Sequence, residues 1–278
     1  MNNIGFILYP VLIFLLLGVL MGLLLAAATK IFAVKKNEKA ERITECLPGA
    51  NCGGCGFAGC AAFAEAVSNG EAKVNQCSVG GAEVAAKIAD IMGVEALPTV
   101  RMRAQVMCSG TNEYARKKYI YEGVADCTAA SKIGGGDKLC ANGCIGLGTC
   151  VSACPFSAIS VENGVAAVDY TKCTGCGVCV SACPKSIIKL IPFDSKHWVG
   201  CMSVDDGKTT RKVCDVGCIS CKICEKNCPE KAITVDNFVA KIDYSKCSGC
   251  DICVDKCPRH IIWSGKTQGD LGLFIKRI

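Results

Sequence analysis

Cysteine is the residue type that could do chemistry in this chain: 25 of its 278 residues are Cys, against two His, His197 and His260. The thiols fall in tight runs. The first is Cys52, Cys55 and Cys60, followed by Cys77. The pattern C-x2-C-x2-C-x3-C-P then occurs at Cys173–Pro184, Cys218–Pro229 and Cys247–Pro258, and in altered form at Cys144–Pro155. Neighbouring thiols in such runs are poorly placed to bridge one another, and a chain this long does not need a disulfide scaffold. Soft thiolates bind iron–sulfide cores, and the last pattern is that of two-cluster ferredoxin-type sites. A zinc site built from four cysteines has the same ligand count, but repeated runs with almost no His favour [4Fe–4S] clusters.

In the two-cluster pattern the fourth Cys of each run ligates the other cluster of the pair. This predicts one quartet at Cys218, Cys221, Cys224 and Cys257, and its neighbour at Cys247, Cys250, Cys253 and Cys228. It likewise predicts a quartet at Cys173, Cys176, Cys179 and Cys154. The partner of that quartet has Leu147 where a Cys is expected, leaving Cys144, Cys150 and Cys183, and Cys140 is the nearest substitute. With Cys52, Cys55, Cys60 and Cys77 this makes five expected clusters. Of the remaining thiols, Cys108, Cys127, Cys201 and Cys214 could form a sixth quartet, against the alternative of inert buried thiols. Cys46 reads as a small buried apolar residue.

The elements that must carry these ligands are also readable. Residues 1–30 read as a single transmembrane helix, with no charge from Met1 to Thr29 and only Pro10 to kink it. The missing basic n-region and the length of the apolar run argue against a cleaved signal peptide. Lys30, Lys35, Lys36, Lys39 and Arg42 follow it, which places this flank in the cytoplasm by the positive-inside rule. A short helix over 37–47 and a second over 61–67 frame a small helical cluster module at 37–93. A linker is expected over 94–126.

The rest is one unit written twice. A shift of 74 residues places Cys127, Cys140, Cys144, Cys150 and Cys154 on Cys201, Cys214, Cys218, Cys224 and Cys228. It also superimposes Asp169-Tyr170 on Asp243-Tyr244 and the later runs on each other. Unit one is expected at 127–200 and unit two at 201–278, each a small α+β sandwich around two clusters. Strands 158–161 and 165–168 face each other across Asn163-Gly164, and 232–235 and 239–242 across Asn237.

Several chemistries find no support. Gly134-Gly135-Gly136 lacks both the dinucleotide and the Walker endings and reads as a turn. No nucleophile constellation or basic stripe for nucleic acid is apparent. The His residues read as surface or ligand-supporting groups. Arg101, Arg103, Arg116, Lys117 and Lys118 could steer an acidic donor but are expected to form an ordinary solvated surface.

An anchor, then Leu47-Pro48-Gly49-Ala50-Asn51-Cys52-Gly53-Gly54-Cys55-Gly56-Phe57-Ala58-Gly59-Cys60 with Cys77, then ferredoxin repeats, resembles the B-subunit family of the Rnf complexes. The resemblance covers essentially the whole chain. It implies an electron-relay subunit of a redox-driven ion pump, a ferredoxin:NAD oxidoreductase of the bacterial cytoplasmic membrane. The implied donor is soluble ferredoxin, and the implied partners are subunits carrying flavin, NADH and iron–sulfur centres. Two ferredoxin units rather than one resemble the longer, clostridial-type members. Covalent flavin on threonine belongs to other subunits of that family. Cys108-Ser109-Gly110-Thr111 lacks the required order, so neither flavin nor NAD is expected on this chain. A polyferredoxin-type subunit of another membrane oxidoreductase is the alternative.

Overall fold

The computed structural model describes residues 4–31, 37–96 and 98–265. Lys35, Lys36, residues 1–3 of the anchor and residues 266–278 of the second unit lie outside these. Helix α1 (Ile4–Ile31) contains Pro10. Its segment Leu8–Lys30 has a mean hydropathy of 2.9 and none of it is buried against protein. At about 1.5 Å per residue it is long enough to cross an apolar layer of about 30 Å.

Three helices form the first module: α2 (Glu38–Cys46), α3 (Cys60–Ser68) and α4 (Gly81–Met92). Asn37 caps α2 by accepting the N–H groups of Lys39 and Ala40. Gly93, left-handed at φ 68°, ends α4. The helices meet on Ile43, Phe63, Val67 and Ile88, each nearly fully buried. Burying a side chain of this size contributes about 1.5–3 kcal/mol.

Strand β1 (Met102–Val106) follows, then α5 (Cys127–Lys132), α6 (Thr149–Ser152), β2 (Ile159–Glu162), β3 (Val165–Val168), α7 (Val178–Ala182) and β4 (Ile188–Pro192). The second unit runs β5 (His197–Val199), α8 (Gly207–Val213), α9 (Ile223–Lys226), β6 (Ile233–Asp236), β7 (Val239–Ile242), α10 (Ile252–Lys256) and β8 (Ile262–Ser264). Each unit has two antiparallel strand pairs, β1–β4 with β2–β3, and β5–β8 with β6–β7. The hairpins lie within a residue of their expected positions. Their tight turns use left-handed residues, Asn163 and Gly164 in the first and Asn237 and Phe238 in the second. The glycine run 134–136 is a turn with all three residues at positive φ.

Two boundaries differ from expectation. Residues 94–126 are more than a linker. Within them β1 pairs along its length with β4, with Ala104 opposite Leu190. Beyond β1 the chain joins both units: Met107 N–H donates to Ile187 O, Ser109 N–H to Gly200 O, and Ala115 bridges to Cys214. Four consecutive positions of β1, Arg103, Ala104, Gln105 and Val106, are buried, so the strand is covered on both faces although Arg103 and Gln105 are polar. The boundary at 200/201 also moves, because His197–Val199 pairs with Ile262–Ser264 and so belongs to the second unit.

Phe238 is half exposed and sits at φ 64°, where a side chain costs about 1 kcal/mol and glycine nothing. Phe238→Gly should therefore raise the thermal midpoint by about 2 °C. Differential scanning fluorimetry of the anaerobically purified chain checks this, and a lower midpoint would contradict it.

Candidate metal centres

Each cysteine run begins in an irregular loop and ends in a helical turn, so successive thiols curl around one centre. In the first module Cys52 and Cys55 lie in a glycine-rich loop, and Cys60 starts α3. The carbonyl oxygen of the Asn51 side chain accepts the Cys60 N–H at 2.8 Å, which holds the loop against the helix. Cys52, Cys55, Cys60 and Cys77 line one cavity of about 340 Å³. In the second unit Cys218, Cys221, Cys224 and Cys257 line a cavity of about 350 Å³.

Two more expected quartets are brought together. Beyond its burial, Cys179 is pushed up by Cys173, Cys176, Cys150 of the neighbouring run and Cys154, and Cys253 by Cys247, Cys250 and Cys228. The repeat extends to their backbone contacts. Ala158 N–H donates to Cys154 Sγ at 3.4 Å, and Ala232 N–H to Cys228 Sγ at 3.3 Å. The prolines after these cysteines turn the chain so that the N–H four residues on faces the sulfur.

The altered run is where expectation and structure part. Cys144, Cys150 and Cys183 share a cavity of about 350 Å³ with Cys127, not with Cys140. Cys140 instead lines a cavity of about 410 Å³ with Cys108, Cys201 and Cys214. The remaining four thiols therefore do not form a group of Cys108, Cys127, Cys201 and Cys214, because Cys127 is replaced there by Cys140. Cys127 reaches its place because Asp126 caps α5. Asp126 accepts from Ala129 N–H at 2.7 Å and from the Thr149 hydroxyl at 2.9 Å, and that hydroxyl accepts the Cys127 N–H at 2.6 Å. One short network thus ties the start of α5 to the start of α6.

The duplication contained this signal. The second unit has all four of its own run cysteines and leaves Cys201 and Cys214 over. Where Leu147 replaces the equivalent of Cys221, the equivalent of Cys201, which is Cys127, is used locally instead. Cys46 is half-buried and lies outside all these cavities.

Burial dominates the electrostatics. It pushes the Cys144 thiol up to about 12, with Cys108 nearby adding to it, and the Cys179 and Cys224 thiols to about 12. Four crowded thiolates repel one another, so an electropositive core is needed to hold them ionised, and ligation releases protons. Among the described residues no group of His, Cys, Asp or Glu could hold a single metal ion.

Among the surrounding basic side chains, one differs from expectation. Arg103, expected at a solvated surface, is 3 % exposed and stacks over Tyr170 with 3.8 Å to the ring centroid. Lys117 pairs with Asp137 at 2.8 Å. His197 is buried and contacts Asp251, the residue after Cys250, at 2.6 Å.

Three segments match known families: residues 47–79 an Fe-S cluster family, and residues 137–184 and 217–262 4Fe-4S dicluster domains. The chain is 48 % identical over 257 residues to the B subunit of the Na(+)-translocating ferredoxin:NAD(+) oxidoreductase complex of Acetobacterium woodii, covering 92 % of this chain and 77 % of the relative. It is 44 % identical over 247 residues to the B subunit of the ion-translocating oxidoreductase complex of Methanosarcina acetivorans, covering 88 % and 94 %. With the proton-translocating counterpart of Clostridium ljungdahlii it shares 44 % over 247 residues, 87 % of each chain.

Thr149→Val removes the hydroxyl between Asp126 and Cys127 and should cost about 1–2 kcal/mol. Thr149→Ser should retain the wild-type midpoint. Thermal melts of the two variants check this, and equal melting of Thr149→Val and wild type would contradict it.

Proposed function

Because the chain belongs to the B-subunit family of the ion-translocating ferredoxin:NAD oxidoreductases (the Rnf complexes), we propose how its parts serve that assembly. It is an electron-transfer subunit, and other subunits of the complex are its partners. In our reading it takes electrons from reduced soluble ferredoxin and delivers them to centres on those partners. The first module holds one [4Fe–4S] cluster, and each unit is a two-cluster, ferredoxin-like α+β domain. The ligand sets are Cys52, Cys55, Cys60 and Cys77; Cys154, Cys173, Cys176 and Cys179; Cys127, Cys144, Cys150 and Cys183; Cys218, Cys221, Cys224 and Cys257; and Cys228, Cys247, Cys250 and Cys253.

What supports this reading is four thiols lining one shared cavity at each of three sites, in repeated cysteine runs with almost no His among them. Zinc would draw its sulfurs to about 2.3 Å from one point. A [4Fe–4S] cluster, when bound, would supply reversible one-electron storage. The chain's own contribution is to place these sites side by side. A Cβ on Gly54 would lie 2.2 Å from Cys176 O, so only glycine lets the first module approach the nearest site of unit one this closely. The Cys176 thiol is pushed up mainly by burial, and the nearby Cys52 adds to that. Helix α1 is a single-pass anchor, and Lys30, Lys39 and Arg42 keep the cluster-bearing part on the cytoplasmic side.

Anaerobic detergent extracts should contain this chain together with other subunits, with absorbance near about 400 nm that bleaches when reduced ferredoxin is added. Colourless protein containing zinc would contradict the cluster assignment. Coloured protein that ferredoxin does not bleach would contradict the donor.

A further inference from the structure

We infer that Cys108, Cys140, Cys201 and Cys214 hold a further [4Fe–4S] cluster, located between the two ferredoxin-like units and joining their sites into one continuous file. The inference rests on the reading of the other quartets as cluster sites. Three of these four cysteines, Cys108, Cys201 and Cys214, lie outside every segment that matches an iron–sulfur family.

The four thiols line one cavity of about 410 Å³. The duplication accounts for the set. Cys140 and Cys214 are equivalent positions of the two units, and both face this cavity. Cys201 is available because Cys221 completes the second unit's own quartet. Its equivalent Cys127 is not available, because Leu147 leaves the first unit one thiol short. Cys108, from the segment that joins both units, completes the set.

The backbone is arranged for thiolates here. Cys144 N–H donates to Cys108 Sγ, and Cys218 N–H and Ser203 N–H both donate to Cys201 Sγ, each at 3.4 Å. A neutral thiol is a weak acceptor, whereas a cluster-bound sulfur uses such donors well. Two of these donors are themselves ligands. Cys144 belongs to the neighbouring quartet in unit one and Cys218 to the one in unit two, so the site touches a neighbour on each side.

Lys138 lies beside both this cavity and Cys144 of the neighbouring quartet. It is 3 % exposed and lines the same cavity, and its ammonium donates to Gly110 O at 2.7 Å and Gly164 O at 2.8 Å. No carboxylate pairs with it among the described residues. A buried cation needs an anion nearby, and four neutral thiols supply none. A cluster held by four thiolates is anionic and supplies one.

The test is iron and acid-labile sulfide per chain in the full-length protein, purified anaerobically. Six sites predict about 24 iron atoms for wild type, and five predict about 20. Cys140→Ala and Cys214→Ala should each lose about one sixth of the iron, Cys46→Ala none, and Cys127→Ala combined with Cys140→Ala about one third. Lys138→Met should keep the iron but shift part of the redox titration, followed by electron paramagnetic resonance, to more negative potential. A wild type near 20 iron atoms, unchanged by Cys140→Ala, would overturn this site and leave the other five standing. A wild type without acid-labile sulfide would overturn both readings. If a variant fails to fold, the wild-type count still decides.

Discussion

The structure depends on one constraint: every quartet of thiols is completed by a cysteine distant in sequence. Cys77 returns to the first module after a helix and a loop. Cys154 and Cys183 cross between the two sites of unit one, as Cys228 and Cys257 do in unit two. Cys127 opens α5 and lies seventeen residues before Cys144, whose cavity it shares. Ligation made only in the folded state contributes directly to folding free energy. The apolar clusters accordingly consist of small side chains interspersed with ligand cysteines, for example Ala158, Val165, Ala166 and Cys150 in unit one. With aromatics at 6 % of the chain, inorganic cores take the volume that large side chains fill elsewhere.

In our reading the same constraint lets a duplicated unit form one continuous file of sites. Two identical units would each complete their own pair of quartets, with two cysteines apiece left over. The Leu147 position breaks that symmetry. It commits Cys127 inside unit one, leaves Cys201 uncommitted in unit two, and allows Cys108 to enter between them. The segment after β1 is buried. Its backbone bonds to Ile187 on one side and to Gly200 on the other, and it delivers Cys108 to the junction.

Local patterns were legible in the sequence and long-range paths were not. The hairpins followed from their strand runs and from Asn163-Gly164, and α2 from its charge alternation with a few apolar positions. The complete cysteine runs were legible because three thiols of each lie within seven residues. Choosing between Cys127 and Cys140 depended on where α5 sits, and that is set by the Asp126–Thr149 network across more than twenty residues. Strand β1 was hidden because its partner lies more than eighty residues away. Arg103 was misplaced for a similar reason, since its burial comes from Tyr170 and Trp198, which the sequence does not place beside it.

The central claim is that the cysteines hold cubane clusters in single file, with the altered run completed by Cys127. An anomalous-scattering map of the assembled complex, recorded at the iron edge, tests it most directly. The account predicts an iron cluster in each quartet, one of them bounded by Cys127, Cys144, Cys150 and Cys183. Single-ion peaks, or a cluster held by Cys140 together with Cys144, Cys150 and Cys183, would contradict it.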